Sequence, residues 1–78
     1  MVSAYVLIIC ELGCEIAVMD EITTLSQVTE ANRVYGSSYD MMIKISADTT
    51  DQLNHIISSK IRRIEKVRAT QTKMLIES

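Results

Sequence analysis

The feature that most restricts this chain is the run Ala4-Tyr5-Val6-Leu7-Ile8-Ile9-Cys10, seven consecutive apolar residues near the start of a sequence of only 78. Seven residues fall far short of the ~20 that an apolar helix needs to cross a bilayer. Nor does Met1-Val2-Ser3 supply the basic segment that would make the run part of a signal peptide. The run is β-branched and aromatic and stops at Glu11-Leu12-Gly13, so it predicts a strand over Tyr5–Cys10 with two apolar faces. Such a strand must be covered on both sides, which is a large demand on a chain that has room for one domain. At 8.8 kDa a lone monomer buries roughly 63% of its unfolded surface, whereas 47% of the residues are apolar and only three are aromatic. A surplus of aliphatic surface in so small a domain is resolved by a partner surface.

Charge excludes other classes. A net charge of −2 gives no overall attraction to phosphate backbones or anionic membranes. An RNA-binding sheet would also need stacking aromatics, and the chain has no Phe or Trp. The expectation is a cytoplasmic protein with no direct nucleic-acid or membrane partner and no cofactor. In that setting the two cysteines read as reduced thiols.

Beyond the first strand the period changes. Val18, Ile22 and Leu25 recur at i, i+4 and i+7, predicting a first helix from about Cys14 with its acidic residues near the N-terminal end of the dipole. A second extended stretch covers Val28–Tyr35, with Thr29, Ala31, Arg33 and Tyr35 assigned to one face. Gly36-Ser37-Ser38-Tyr39 is the clearest turn, and a hairpin leads to a third strand in which Met41, Ile43 and Ile45 alternate with Met42, Lys44 and Ser46. Thr49 and Gln52 have capping-box spacing. After them Leu53, Ile56, Ile57, Ile61 and Ile64 form an apolar stripe for a second helix of about three turns. Ala69–Ile76 completes the set as a fourth strand. The order β-α-β-β-α-β predicts an α+β, ferredoxin-like unit, a four-stranded antiparallel sheet with both helices on one face. Its other face is left open. The surplus apolar side chains of strands one, three and four then serve to pair protomers as a homodimer through the sheet.

Several groups invite chemistry. Cys10 and Cys14 have Cys-x-x-x-Cys spacing, open to a redox or metal role or to two small buried thiols, and the latter is favoured because zinc would lack further ligands. His55 has no recognisable nucleophile or orienting acid in the pattern around it. Lys60, Arg62, Arg63, Lys66 and Arg68 could hold an anion, but cations also offset the dipole at a helix end. The turn holds the best candidate site. Gly36 allows φ > 0, Ser37 and Ser38 offer hydroxyls, tight-turn amides can cradle a carboxylate, and Asp40 offers a charge for an ammonium. Together they suit the two ends of an α-amino acid, and they equally suit closure of the hairpin by local hydrogen bonds.

The segment Val34-Tyr35-Gly36-Ser37-Ser38-Tyr39-Asp40-Met41-Met42-Ile43-Lys44-Ile45, the Leu53–Ile64 helix and Val67-Arg68-Ala69-Thr70-Gln71-Thr72 together resemble the RAM (regulation of amino-acid metabolism) domain of Lrp/AsnC transcriptional regulators. The resemblance spans nearly the whole chain. It implies a non-enzymatic βαββαβ domain that dimerises through its sheet and assembles into tetramers or octamers. It also implies amino-acid effectors held near a Gly-x-(Tyr/Phe)-Asp turn, which carries Gly36, Tyr39, Asp40, Thr70 and Thr72 into the candidate site beside Ser37 and Ser38. Two features depart from the family pattern: the turn has two residues between Gly36 and Tyr39 where one is usual, and Ile64-Glu65-Lys66-Val67 replaces an Ile-Pro-Gly-Val type turn. The chain, read as residues 1–78, is expected to be a stand-alone RAM domain without a helix-turn-helix, acting through an amino-acid effector or by co-assembly with full-length Lrp/AsnC regulators. Two other classes share the βαββαβ plan: small dimeric α+β barrel enzymes of the monooxygenase-like type, and ACT-like amino-acid-binding domains.

Overall fold

In a computed structural model, which describes residues 1–75, the seven-residue run lies within a nine-residue strand, β1 (Val2–Cys10). Its alternation is regular. Ala4, Val6, Ile8 and Cys10 are buried, while Ser3, Tyr5, Leu7 and Ile9 are only partly covered on the opposite face. The strand begins three residues earlier than its apolar pattern suggests because Ser3 pairs with Ser46 across the sheet, the two hydroxyls 2.8 Å apart.

The turn after β1 is closed by the Cys14 amide donating to the Glu11 carbonyl at 3.0 Å, and Gly13 takes φ +84°. That value at the third position of a four-residue turn is the type II geometry, a backbone conformation that strains residues with a Cβ and favours glycine. Helix α1 (Glu15–Thr23) follows and buries Val18 and Ile22. Next come β2 (Val28–Arg33) and β3 (Met41–Ala47), joined by the loop 34–40. Helix α2 (Thr50–Ile56) starts where expected. The Thr49 hydroxyl accepts from the Gln52 amide at 3.1 Å, and the Gln52 side chain returns to the Asp48 amide rather than to that of Thr49. The helix runs on into a π-helical turn, Ile57–Ile61, in which the Arg62 amide reaches back five residues to the Ile57 carbonyl at 2.9 Å. β4 (Val67–Met74) closes the unit.

The sheet is antiparallel with order β2-β3-β1-β4, and this is the ferredoxin-like βαββαβ architecture that the sequence predicts. Both helices cover one face, and the molecule is only 17 Å thick along its shortest axis, the depth of one sheet and one helical layer. The core is aliphatic throughout. Ile8, Ile22, Met41, Ile43, Ile45, Leu53 and Ile61 are its largest fully enclosed side chains, and the whole stripe Leu53, Ile56, Ile57, Ile61 and Ile64 is buried.

Three strand expectations change. β2 stops at Arg33, and Tyr35 stands 91% exposed in the loop. Its face assignment also shifts, because a bulge between Val28 and Glu30 displaces Thr29, so Val28 and Ala31, three apart, both turn toward the core. β4 begins at Val67 instead of Ala69, where a second irregularity opposite Ile9 and Cys10 admits Arg68. The expected end of that strand at Ile76 lies outside the described residues.

Candidate functional site

The candidate site is assembled where the loop 34–40 crosses the C-terminal end of β1. Val34 donates its amide to the Asp40 carbonyl at 3.1 Å, closing the loop, and Gly36 takes φ +78° within it. The Ser37 hydroxyl serves the turn itself, accepting from the Tyr39 amide at 3.1 Å and lying 3.3 Å from the Tyr39 carbonyl. Ser38 is exposed and makes no side-chain hydrogen bond among the described residues.

Asp40 anchors the loop to the sheet. Its amide donates to the Ile8 carbonyl at 2.9 Å, and one carboxylate oxygen accepts from the Cys10 amide, also at 2.9 Å. The carboxylate that chemistry offers to a ligand ammonium is therefore already hydrogen-bonded to the end of β1. Beside it the Cys10 thiol donates to the same oxygen at 3.7 Å. Burial first, and the nearby Asp40 charge second, push that thiol up to about 11, so it is protonated and unreactive at neutral pH.

Tyr39 extends past β1 to the edge strand, where its hydroxyl donates to the side-chain carbonyl of Gln71. Gln71 lies opposite Leu7 on the open face. Its neighbours Thr70 and Thr72 lie opposite Ile8 and Val6, so both threonines face the helical layer and are half-buried there. The structure thus brings Gly36, Ser37, Ser38, Tyr39 and Asp40 together, links them to β4 through Gln71, and places Thr70 and Thr72 on the other side of that strand. Gln71 is the residue that sequence reasoning passed over, hidden as the variable position of a Thr-x-Thr motif.

Thr70 leads to a second group. The Arg62 guanidinium donates through Nε to the Thr70 hydroxyl oxygen at 3.0 Å, and Arg62, Val67, Arg68, Ala69 and Thr70 line a cleft of about 300 Å³. Arg62 is an exposed cation at the helix end, as one of the two readings expects, and from there its side chain also reaches the sheet.

His55 is elsewhere, in a cleft of about 700 Å³ with Asp48, Asp51 and Lys60 beside the N-terminal end of β1. The structure does set a hydroxyl against it, with Ser59 Oγ 3.2 Å from His55 Nδ1. That contact is an exposed i, i+4 pair on one helix, with no carboxylate hydrogen-bonded to the imidazole among the described residues. Both cysteines are free, and among the described residues no group of three His, Cys, Asp or Glu side chains is placed to hold a metal ion. No described helix is long and apolar enough to cross a membrane.

Comparison with known proteins agrees with this architecture. Residues 3–78 match the Lrp/AsnC ligand binding domain. FFRP-DM1 is 36% identical in sequence, with 97% of this chain aligned to all of that one at a TM-score of 0.93. A hypothetical protein from Pyrococcus horikoshii is 35% identical, over all of this chain and 93% of its own, with a TM-score of 0.91. AsnC of E. coli superposes with a TM-score of 0.92 at 26% identity, and the chain spans 52% of its length. No curated protein sequence matches. The family match over residues 3–78 sets aside the monooxygenase-like and ACT-like alternatives. The chain belongs to the Lrp/AsnC ligand-binding domain family.

Proposed function

We propose that this domain is an amino-acid effector-binding module that works as an oligomer and modulates Lrp/AsnC-type transcriptional regulation, either alone or by co-assembly with full-length regulators. The match of residues 3–78 to the family's ligand-binding domain carries this reading. The loop 34–40 supplies binding groups through Gly36, Ser37, Ser38, Tyr39 and Asp40, and β4 supplies Thr70 and Thr72 from its helical side. Asp40 contributes mainly by holding the loop against Cys10, and the Tyr39 amide is taken by Ser37, so within the turn the amides of residues 36–38 and the Ser38 hydroxyl are the groups offered to a ligand.

The open face of the sheet is the pairing surface in this reading. Tyr5, Leu7, Ile9 and Met42 lie on it, and a second sheet covers them in a homodimer, with tetramers or octamers as higher assemblies. A ligand that binds between protomers stabilises the assembly by mass action, so its concentration sets oligomeric state.

The experiment is a screen of the twenty amino acids by melting temperature and native mass, with Ser38→Ala as the site control. Asp40→Ala is unsuitable for that purpose, since it removes a hydrogen bond of the fold itself. At least one amino acid is expected to raise the melting temperature and shift the mass distribution. If none of the twenty moves either quantity, the effector-binding reading is wrong.

A further inference from the structure

The cleft between the helical turn 57–61 and β4 contains two arginines, only one of which the helix end accounts for. A helix dipole is felt within the last turn, which covers Arg62. Arg68 lies six residues further on, in β4, and the dipole does not reach it. Neither arginine has a carboxylate within ion-pair distance among the described residues. The nearby ion pair, Lys66 with Glu11 at 3.6 Å, uses a different cation. Two guanidinium side chains therefore line one cleft, and neither is ion-paired among the described residues.

The hydrogen bonding is arranged for an anion. Arg62 Nε donates to Thr70 Oγ1 at 3.0 Å, which fixes the guanidinium and keeps both terminal nitrogens as donors. Because the Thr70 oxygen accepts that bond, its own O–H proton is directed elsewhere and can be donated to a ligand. Val67 and Ala69 complete the lining beside these polar groups. A volume of about 300 Å³ is at the small end of ligand pockets, suited to an amino acid and too small for a nucleotide. Gln71, the residue that receives Tyr39 from the loop, directly follows Thr70 but faces the opposite side of β4, so the cleft lies on the helical side of the strand that the loop contacts from the open side.

We propose that this cleft is a carboxylate-binding subsite, and that the effector it selects is an acidic amino acid whose side-chain carboxylate is held by Arg62, Arg68 and Thr70. This rests on the effector-binding reading and adds the ligand class to it.

The test is calorimetric titration of the wild-type protein with L-glutamate, L-aspartate, L-glutamine, L-asparagine and inorganic phosphate, repeated with Arg62→Gln, Arg68→Gln and Arg68→Lys. Charge-assisted hydrogen bonds contribute enough that each Gln variant should weaken binding of an acidic amino acid by about tenfold or more, with Arg68→Lys intermediate and the amide amino acids bound far more weakly than the acids. The melting temperature of each unliganded variant shows that it is folded. If neutral amino acids bind as tightly as acidic ones and the Arg variants leave affinity unchanged, the carboxylate subsite is refuted while effector binding stands. If phosphate binds as tightly as the acidic amino acids, the cleft is a general anion site and the proposed selectivity is wrong. If no amino acid binds, both readings fail.

Discussion

Asp40→Ala tests whether the carboxylate that sequence chemistry offers to a ligand is in fact part of the fold. Its main-chain bonds to Ile8 and Val34 survive the substitution, so the loss is confined to the side chain. That side chain accepts the Cys10 amide at 2.9 Å in a part-buried position, and the 3.7 Å thiol contact adds little because a thiol is a weak donor. A hydrogen bond to a charged group contributes about 1.5–3 kcal/mol, and removing the acceptor also strands a strand-end amide. We expect a cost of about 2 kcal/mol, a large share of the roughly 5–10 kcal/mol that holds a small domain together. For a domain of this size that corresponds to a fall in melting temperature of about 8–16 °C. Asp40→Asn keeps an acceptor without the charge and should lose about half as much. The assay is urea denaturation followed by circular dichroism at one protein concentration, so that oligomer linkage does not enter the comparison. Amide exchange at Cys10 gives the local readout and should accelerate. A stability change within about 0.5 kcal/mol of wild type, as for an ordinary surface site, together with unchanged exchange at Cys10, would refute the anchoring role and return Asp40 to the ligand.

Other consequences follow from the same geometry. Leu7→Lys introduces a charge on the open face opposite Met42 and Gln71. Sedimentation should show a smaller species than wild type, and an unchanged mass would exclude pairing through this face. Ile43→Ala, at a fully enclosed site in β3, should cost 2–5 kcal/mol by urea titration, and a loss below about 1 kcal/mol would mean the core is looser than described. Thr49→Ala removes the acceptor for the Gln52 amide and should cost about 1 kcal/mol, recovered by Thr49→Ser. Cys10 links stability to alkaline pH. Its folded thiol is raised from 9.0 to about 11, so the folded state holds the proton more tightly than the unfolded one. That contribution is complete below about pH 9 and is lost as pH rises toward 11. The stability gap between wild type and Cys10→Ala should therefore narrow across that window, and a constant gap would contradict the assignment.

How far the sequence could be read depended on whether an interaction leaves a periodic trace. The Leu53–Ile64 stripe and the alternation of Met41, Ile43 and Ile45 repeat at the period of their elements, and both faces are buried as predicted. The bulge that shifts Thr29 has no such trace. It arises where β2 and β3 adjust their register, and the residues of one strand do not specify it. At the candidate site, the loop from Gly36 to Asp40 was legible because glycine and adjacent serines punctuate a chain locally. Gln71 was not, because its role depends on a tyrosine 32 positions away. The contact of Arg62 with Thr70 was not legible for a related reason. Within its own helix it is a terminal cation, and only docking of β4 turns it toward Thr70.

The sequence by itself therefore determined the order of elements, an aliphatic core without a single aromatic side chain, and a first strand apolar on both faces that a lone two-layer unit leaves half covered. These follow from patterning and solvation, which act residue by residue along the chain. The tertiary structure alone decided that the Asp40 carboxylate closes onto Cys10 and that two arginines converge on one cleft beside Thr70. Each of those outcomes depends on hydrogen bonds between segments that meet only once the sheet is assembled, and no local pattern records such a meeting.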